Sequence, residues 1–234
     1  MNAAALLALQ DIDTALKAIA NRRPRLPELA AQRAAAAVMA AHHSAMAEVQ
    51  RRIGEAESAI EAAEHAASDI TTKRARLEAQ LKTVIAPREA EALMSQIATL
   101  NGQRSELDDR ELEALDAQAE AEGELGALAL RSPDLEAALE AAELELQRAT
   151  GVLAAEETAL LEQRPAAVAA LSADEVAAYD AARRHHEGVA IARLEGHRCQ
   201  GCHLDLSAAE MDTVKATPQG SLPECPQCGR FLAR

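Results

Sequence analysis

From Met39 onward, seam residues recur in alternating steps of three and four: Met39, His42, Met46, Val49, Ile53, Ala56, Ile60, Ala63, Ala67, Ile70, Arg74, Leu77, Leu81 and Val84. This is an a/d seam held over six heptads and interrupted only by His42 and Arg74. So narrow a stripe suits a coiled-coil partner; the alternative is an amphipathic helix laid on some other core. His42 and Arg74 read as register-setting polar residues. Upstream, Leu6, Leu9, Ile12, Leu16 and Ile19 mark a first amphipathic helix over residues 2–21. Arg22-Arg23-Pro24-Arg25-Leu26-Pro27 breaks it, because each proline lacks a donor and disfavours helix before it. A helix restarts near Glu28.

The seam stops at Thr83-Val84-Ile85-Ala86-Pro87, and Pro87 fits the first turn of a second long helix. Leu93, Ile97, Leu100 and Leu107, then Leu115, Leu125 and Leu128, carry its stripe, with an expected drift of register around Leu112, Gly123 and Gly126. Ser132-Pro133-Asp134 predicts a restart or kink, with Ser132 as cap and Pro133 at the first helical position. Leu139, Ala142, Leu146, Ala149, Leu153 and Leu160 resume the seam as far as Arg164-Pro165. Folding the two arms back at Pro87 predicts an antiparallel hairpin on the order of 100 Å long. A short helix follows, capped by the Ser172/Glu175 capping box, running past Val176 and Tyr179 to His186 and ending at Gly188. The returning chain sets this helix and the C-terminal module beside residues 2–27. The expected fold is mainly α: an elongated antiparallel coiled-coil hairpin over residues 1–190, broken near 22–27, 85–88, 131–134 and 164–171, then a small ribbon over 191–234.

Composition supports thin helical layers. Apolar residues make up 49% of the 234, mostly Ala and Leu, with Tyr179 and Phe231 the only aromatics. Net charge is −14, which disfavours nucleic acid and anionic membrane unless a basic patch is segregated. The longest apolar run, Ala34 to Ala41, is too short to span a bilayer, and the N-terminus lacks a basic signal region, so no membrane and a cytoplasmic location are expected.

The candidate chemistry lies at the C-terminus. Cys199, Cys202, Cys225 and Cys228 form two CxxC pairs separated by 22 residues, with room for a short helix over SAAEMDTV. Each pair sets two thiolates on one tight turn, and two turns supply the soft ligands of a tetrahedral zinc site. Gly201 sits inside the first turn; Pro226 and Gly229 shape the second. Four thiolates leave no open position for water, so the expected cofactor is one structural Zn2+, whose binding supplies folding energy on the order of 10–16 kcal/mol. His197 and His203 read as surface neighbours. No Gly-rich phosphate loop, nucleophile elbow or HExxH helix is present, so no enzyme activity is expected. Two functions remain. One is a protein-interaction adaptor using the helix faces and a ribbon surface near Phe231 and Leu232. The other is a nucleic-acid-binding ribbon, for which Arg22, Arg23, Arg25, Arg183 and Arg184 are the candidate contacts. The second is weaker, because residues 193–234 carry five basic and five acidic side chains and a single aromatic. Protein partners are expected, and the chain is read as a monomer or homodimer.

LPEL at 26–29, PREAEAL at 87–93, YDAARRHHEGVAIARLEGHRCQGCHLDL at 179–206 and CPQCGRFLAR at 225–234 resemble the bacterial C4-type zinc-ribbon proteins that carry a long N-terminal coiled-coil hairpin. The resemblance covers essentially the whole chain. It implies that the four cysteines are metal ligands. Some relatives resemble chaperone-like adaptors for flagellar and type III secretion components, and others resemble regulators that touch nucleic acid. The Ala-rich composition is similar to that of the high-GC actinobacterial branch.

Overall fold

The computed structural model describes every residue except Gln219. The chain is mainly α-helical. In order it forms α1 (Ala3–Arg22), a 3₁₀ turn (Arg23–Arg25), α2 (Pro27–Leu81), α3 (Pro87–Ala169), α4 (Ala173–His185), β1 (Ile191–Glu195), β2 (Arg198–Cys199), α5 (Ala208–Ala216) and β3 (Phe231–Ala233). Packing sorts these into two compact units. One is Arg33–Ala141; the other joins Met1–Gln32 to Ala142–Arg234.

In the Arg33–Ala141 unit, α2 and α3 run antiparallel. Polar rungs fix the register: Arg74 Nη1 donates to Asn101 Oδ1 at 3.2 Å, Arg52 Nη1 meets Glu124 Oε2 at 2.8 Å, and His42 Nε2 lies 2.9 Å from Ser132 Oγ. The α2 seam is the one its spacing predicts, with Met39, His42, Val49, Ala56, Ala63 and Ala67 buried. In α3 the expected drift is absent. Arg104, Leu107, Glu111, Ala114, Gln118, Ala121, Leu125 and Leu128 are all covered and keep strict heptad spacing, while Leu112 and Leu115 face solvent at 61% and 43% exposure. The larger leucines drew the sequence reading away from the seam. Ala114 and Ala121 hold seam positions while the larger Leu112 and Leu115 do not, because heptad position rather than side-chain size decides which residues face α2.

The predicted restart at Ser132 also does not occur: α3 is helical straight through Ser132-Pro133-Asp134, and again through Arg164-Pro165 to Ala169. Pro133 and Pro165 lie on the exposed side of the helix, where water can take the carbonyls their missing N–H groups leave free. Ser132 is therefore no cap; its hydroxyl bonds His42 across the hairpin.

In the other unit, Ile19, Leu26 and Leu153 form one small core at the α1–α2 corner. Leu6, Leu9, Tyr179, Ala190, Ile191 and Ala233 form a second, which seats α4 and the strands on α1, as the sequence predicts. The capping box of α4 is present, with Ser172 Oγ accepting from Glu175 N–H and Glu175 Oε2 accepting from Ser172 N–H at 2.9 Å. The sheet order is β2-β1-β3: β1 pairs antiparallel with β2 through Leu194↔Cys199 and parallel with β3 through Ile191↔Phe231.

Candidate metal centre

Two tight turns present the four thiols. β2 ends at Cys199, and the chain reverses so that His203 N–H donates to Cys199 O at 2.8 Å and Gly201 N–H approaches Cys199 Sγ at 3.4 Å. A Cβ on Gly201 would lie 2.9 Å from both Ala192 Cβ and Arg230 Cδ, so the first turn needs glycine for space. In the second turn Gly229 N–H donates to Cys225 O at 2.8 Å, and Gly229 takes φ +71°. α5, capped by Ser207 with Glu210, spans the stretch expected to be helical and packs Val214 beside Cys199, Cys225, Leu206 and Leu232.

The four Sγ atoms all lie within 4.8 Å of one another, and Cys202 and Cys225 are 3.9 Å apart. A tetrahedron with Zn–S bonds of about 2.3 Å has sulfurs about 3.8 Å apart. A disulfide needs about 2.05 Å, and all four cysteines are free. The donor set thus fits one tetrahedral, thiophilic metal ion and can coordinate it. Cys199 and Cys225 are buried; Cys202 and Cys228 are partly covered.

Electrostatics divide the ligands. Burial pushes the Cys225 thiol up to about 12, against the opposing backbone amides of Gln227 and Cys228. Burial also raises Cys202. Burial raises Cys228 too, but hydrogen bonds from the Arg230 backbone and side chain outweigh it and hold this thiol below its ordinary value. Arg230 is itself anchored, donating through Nε to Val189 O at 3.1 Å. Metal entry must therefore displace protons from at least two reluctant thiols.

His197 and His203 are exposed and lie outside the thiol cluster; His197 Nε2 is 4.0 Å from Asp205 Oδ1. Leu232 is fully buried and offers no docking surface, so the expected platform reduces to half-buried Phe231. Arg22, Arg25 and Arg184 are exposed. Arg23 pairs with Glu157 at 2.5 Å, and Arg183 Nη1 lies 3.0 Å from Asp13 Oδ2. Arg22 lies nine residues beyond Asp13 on α1, about 13 Å along the axis.

Sequence reading missed what holds the sheet to α1. Gln10, buried, donates through Nε2 to Ile191 O at 2.6 Å and accepts from Ile191 N–H at 2.8 Å, so its amide acts as one more rung on β1. Asp13, 2% exposed, accepts from Arg164 Nε at 2.9 Å and from the Tyr179 hydroxyl at 2.9 Å. Burial alone would raise the Asp13 pKa, but Arg164, Tyr179 and Arg183 together hold it below the usual carboxylate value. Burial, with the Asp13 bond, pushes the Tyr179 hydroxyl well above its ordinary range. The signal was present in the sequence: Asp13 stands four residues after Leu9, on the apolar stripe.

Comparison with known proteins agrees with this geometry. Residues 9–187 match the CT398-like coiled coil hairpin domain, and residues 198–232 match the C4-type zinc ribbon domain. The chain is 27% identical to an uncharacterised protein of Mycobacterium tuberculosis, over 98% of this chain and 94% of the relative. Its fold is similar to CT398 from Chlamydia trachomatis (TM-score 0.83, 21% identity, covering 97% and 95% of the two chains). It is also similar to a Mycobacterium smegmatis protein (0.81, 20%, covering 98% and 96%) and to HP0958 from Helicobacter pylori (0.62, 15%, covering 99% and 98%).

Proposed function

Because the chain belongs to the CT398-like coiled-coil hairpin family and ends in a C4-type ribbon, we propose that it is a non-catalytic adaptor whose helices bind protein partners and whose ribbon is held by one structural Zn2+. The observation that carries this reading is the closed set of four sulfurs within 4.8 Å. Four thiolates fill a tetrahedral shell and leave no site for a metal-bound water, so the ion shapes the module rather than activating a substrate. The hairpin offers long solvent-facing helix surfaces, and helix faces are a common mode of partner recognition. Among the described residues no helix is long and apolar enough to cross a membrane, which suits a partner met in the aqueous phase.

Two measurements test the proposal. Elemental analysis of the purified chain should find one zinc per molecule, falling to none in the Cys225→Ser/Cys228→Ser variant. Affinity capture from native lysate, followed by reconstitution with the purified candidate, should give a stoichiometric complex with the zinc-loaded chain. A partner retained by the variant docks on the helices; a partner lost docks on the ribbon. An intact chain that forms no protein complex, or that binds RNA or DNA tightly at low salt in place of protein, removes the adaptor reading.

A further inference from the structure

Charge along the hairpin is sorted by position. Residues 71–88 carry Lys73, Arg74, Arg76, Lys82 and Arg88 against the single carboxylate Glu78, a balance of +4 in a chain of −14. Residues 105–141 of α3 carry twelve carboxylates and two arginines. Away from the turn, Arg51 of α2 pairs with Glu48 and Glu55, and Arg52 with Glu124, while Arg33 near the start of the helix is exposed. Nearer the turn Arg74 pairs with Glu78, but among the described residues Lys73, Arg76, Lys82 and Arg88 have no carboxylate within ion-pair distance. All four are exposed. With a Debye length of about 8 Å at physiological salt, such a patch acts on its neighbours whatever the net charge of the chain.

The same stretch holds a groove of about 510 Å³ between α2 and α3. Leu77 and Leu100, both half-buried seam residues, give it an apolar surface; Lys73 and Arg76 line it from α2, Gln96 and Gln103 from α3. Two antiparallel helices make a trough that a third helix fits along its length. Nucleic acid would want aromatic stacking platforms, and this stretch has none. An apolar strip flanked by unengaged cations is complementary to an amphipathic helix with leucine-type residues on one face and carboxylates beside them.

We infer that this groove, lined by Lys73, Arg76, Leu77 and Leu100, is the docking site for an acidic amphipathic helix of a protein partner. The inference rests on the adaptor reading and locates its binding surface. The apolar stripe of the partner covers Leu77 and Leu100, and its Asp or Glu side chains meet Lys73 and Arg76.

The test is anisotropy titration of the full-length, zinc-loaded chain with three labelled probes: a synthetic Leu/Glu amphipathic helix, its Leu/Lys counterpart, and inorganic polyphosphate. The Leu/Glu peptide should bind and weaken as salt rises, whereas any binding of the Leu/Lys peptide to the acidic stretch of α3 should not weaken in Lys73→Glu/Arg76→Glu. Lys73→Glu/Arg76→Glu, both exposed and so compatible with folding, should weaken the Leu/Glu peptide by about tenfold or more, since like charges then face each other. Far-UV circular dichroism confirms that the variant keeps its helices. Failure of the Leu/Glu peptide to bind overturns the inference, as does equal binding by the variant or binding of polyphosphate alone. If a captured protein partner still forms its complex in that case, the adaptor reading stands and only this groove is lost as its site.

Discussion

Asp13 is a buried carboxylate with three donors around it: Arg164, Tyr179 and Arg183. Removing the charge strands two guanidinium groups, yet both arginines are about a third exposed, at 35% and 29%, and water compensates them in part. Asp13→Asn should therefore cost about 2 kcal/mol in urea unfolding, below the full penalty for breaking a buried pair. Its pKa in the folded chain lies below the unfolded value of about 3.9. The unfolded state thus takes up the proton first as pH falls. The contribution is complete above pH 4 or so and disappears as pH drops through the folded pKa. As pH falls below about 4, the wild-type chain should lose stability more steeply than Asp13→Asn, as equilibrium unfolding at stepped pH would show. In the hairpin, His42 is 6% exposed and has its hydrogen bond to Ser132. Ser132→Ala leaves that ring nitrogen without its partner and should destabilise by about 1–2 kcal/mol, while Ser132→Thr, which keeps the hydroxyl, should lose less.

At the scale of elements, α3 decides the architecture, and its 83 residues include two prolines the sequence reads as stops. Pro133 inside a continuous helix removes a hydrogen bond to the Ala129 carbonyl; Pro133 opening a new helix would remove nothing. The two arrangements give opposite results on substitution. Pro133→Ala should raise stability by about 1–3 kcal/mol in thermal or urea unfolding, since it restores a helical bond and a good helix former. A neutral or destabilising result would place a helix start at Pro133. The seam carries a related lesson. Ala121 is fully buried while Leu112 and Leu115 face solvent, because position in the heptad decides which residues face α2. Ala121→Leu should cost about 1–3 kcal/mol through overpacking, measurable by the same unfolding experiment.

At the scale of the whole molecule, the metal and the helices stabilise different parts. The ribbon core gathers Ala192, Leu206, Val214 and Leu232 around Cys199 and Cys225, a cluster small enough that a metal held by the four cysteines would supply much of its stability. The Arg33–Ala141 unit has its own seam and contains none of the four ligands. Chelation should therefore collapse the amide dispersion of the two cysteine turns and α5, residues 198–230, in NMR spectra while leaving most far-UV helical signal. Loss of the helical signal with the metal would refute this division. Because Cys225 and Cys202 must give up raised-pKa protons, zinc affinity should climb as pH rises from 6 to 8 in competition with a metal indicator.

The cluster of four cysteines and the identity of nearly every helix were legible in the sequence, because CxxC spacing and heptad periodicity are local properties of a chain. The Ser172 capping box was equally local, needing only three residues of separation, and the one at Ser207, unread in the sequence, has the same spacing. Three things were decided by tertiary packing alone. Pro133 and Pro165 stay within a helix because pairing along the seam outweighs a local stop. Ala114 and Ala121 sit in the α3 seam while Leu112 and Leu115 do not, because the register against α2 decides which face is covered. Gln10 and Asp13 find Ile191, Arg164, Tyr179 and Arg183 at separations of 151 to 181 residues in sequence. A local pattern states what a segment prefers; which polar side chains become buried and paired depends on the partner that folding delivers.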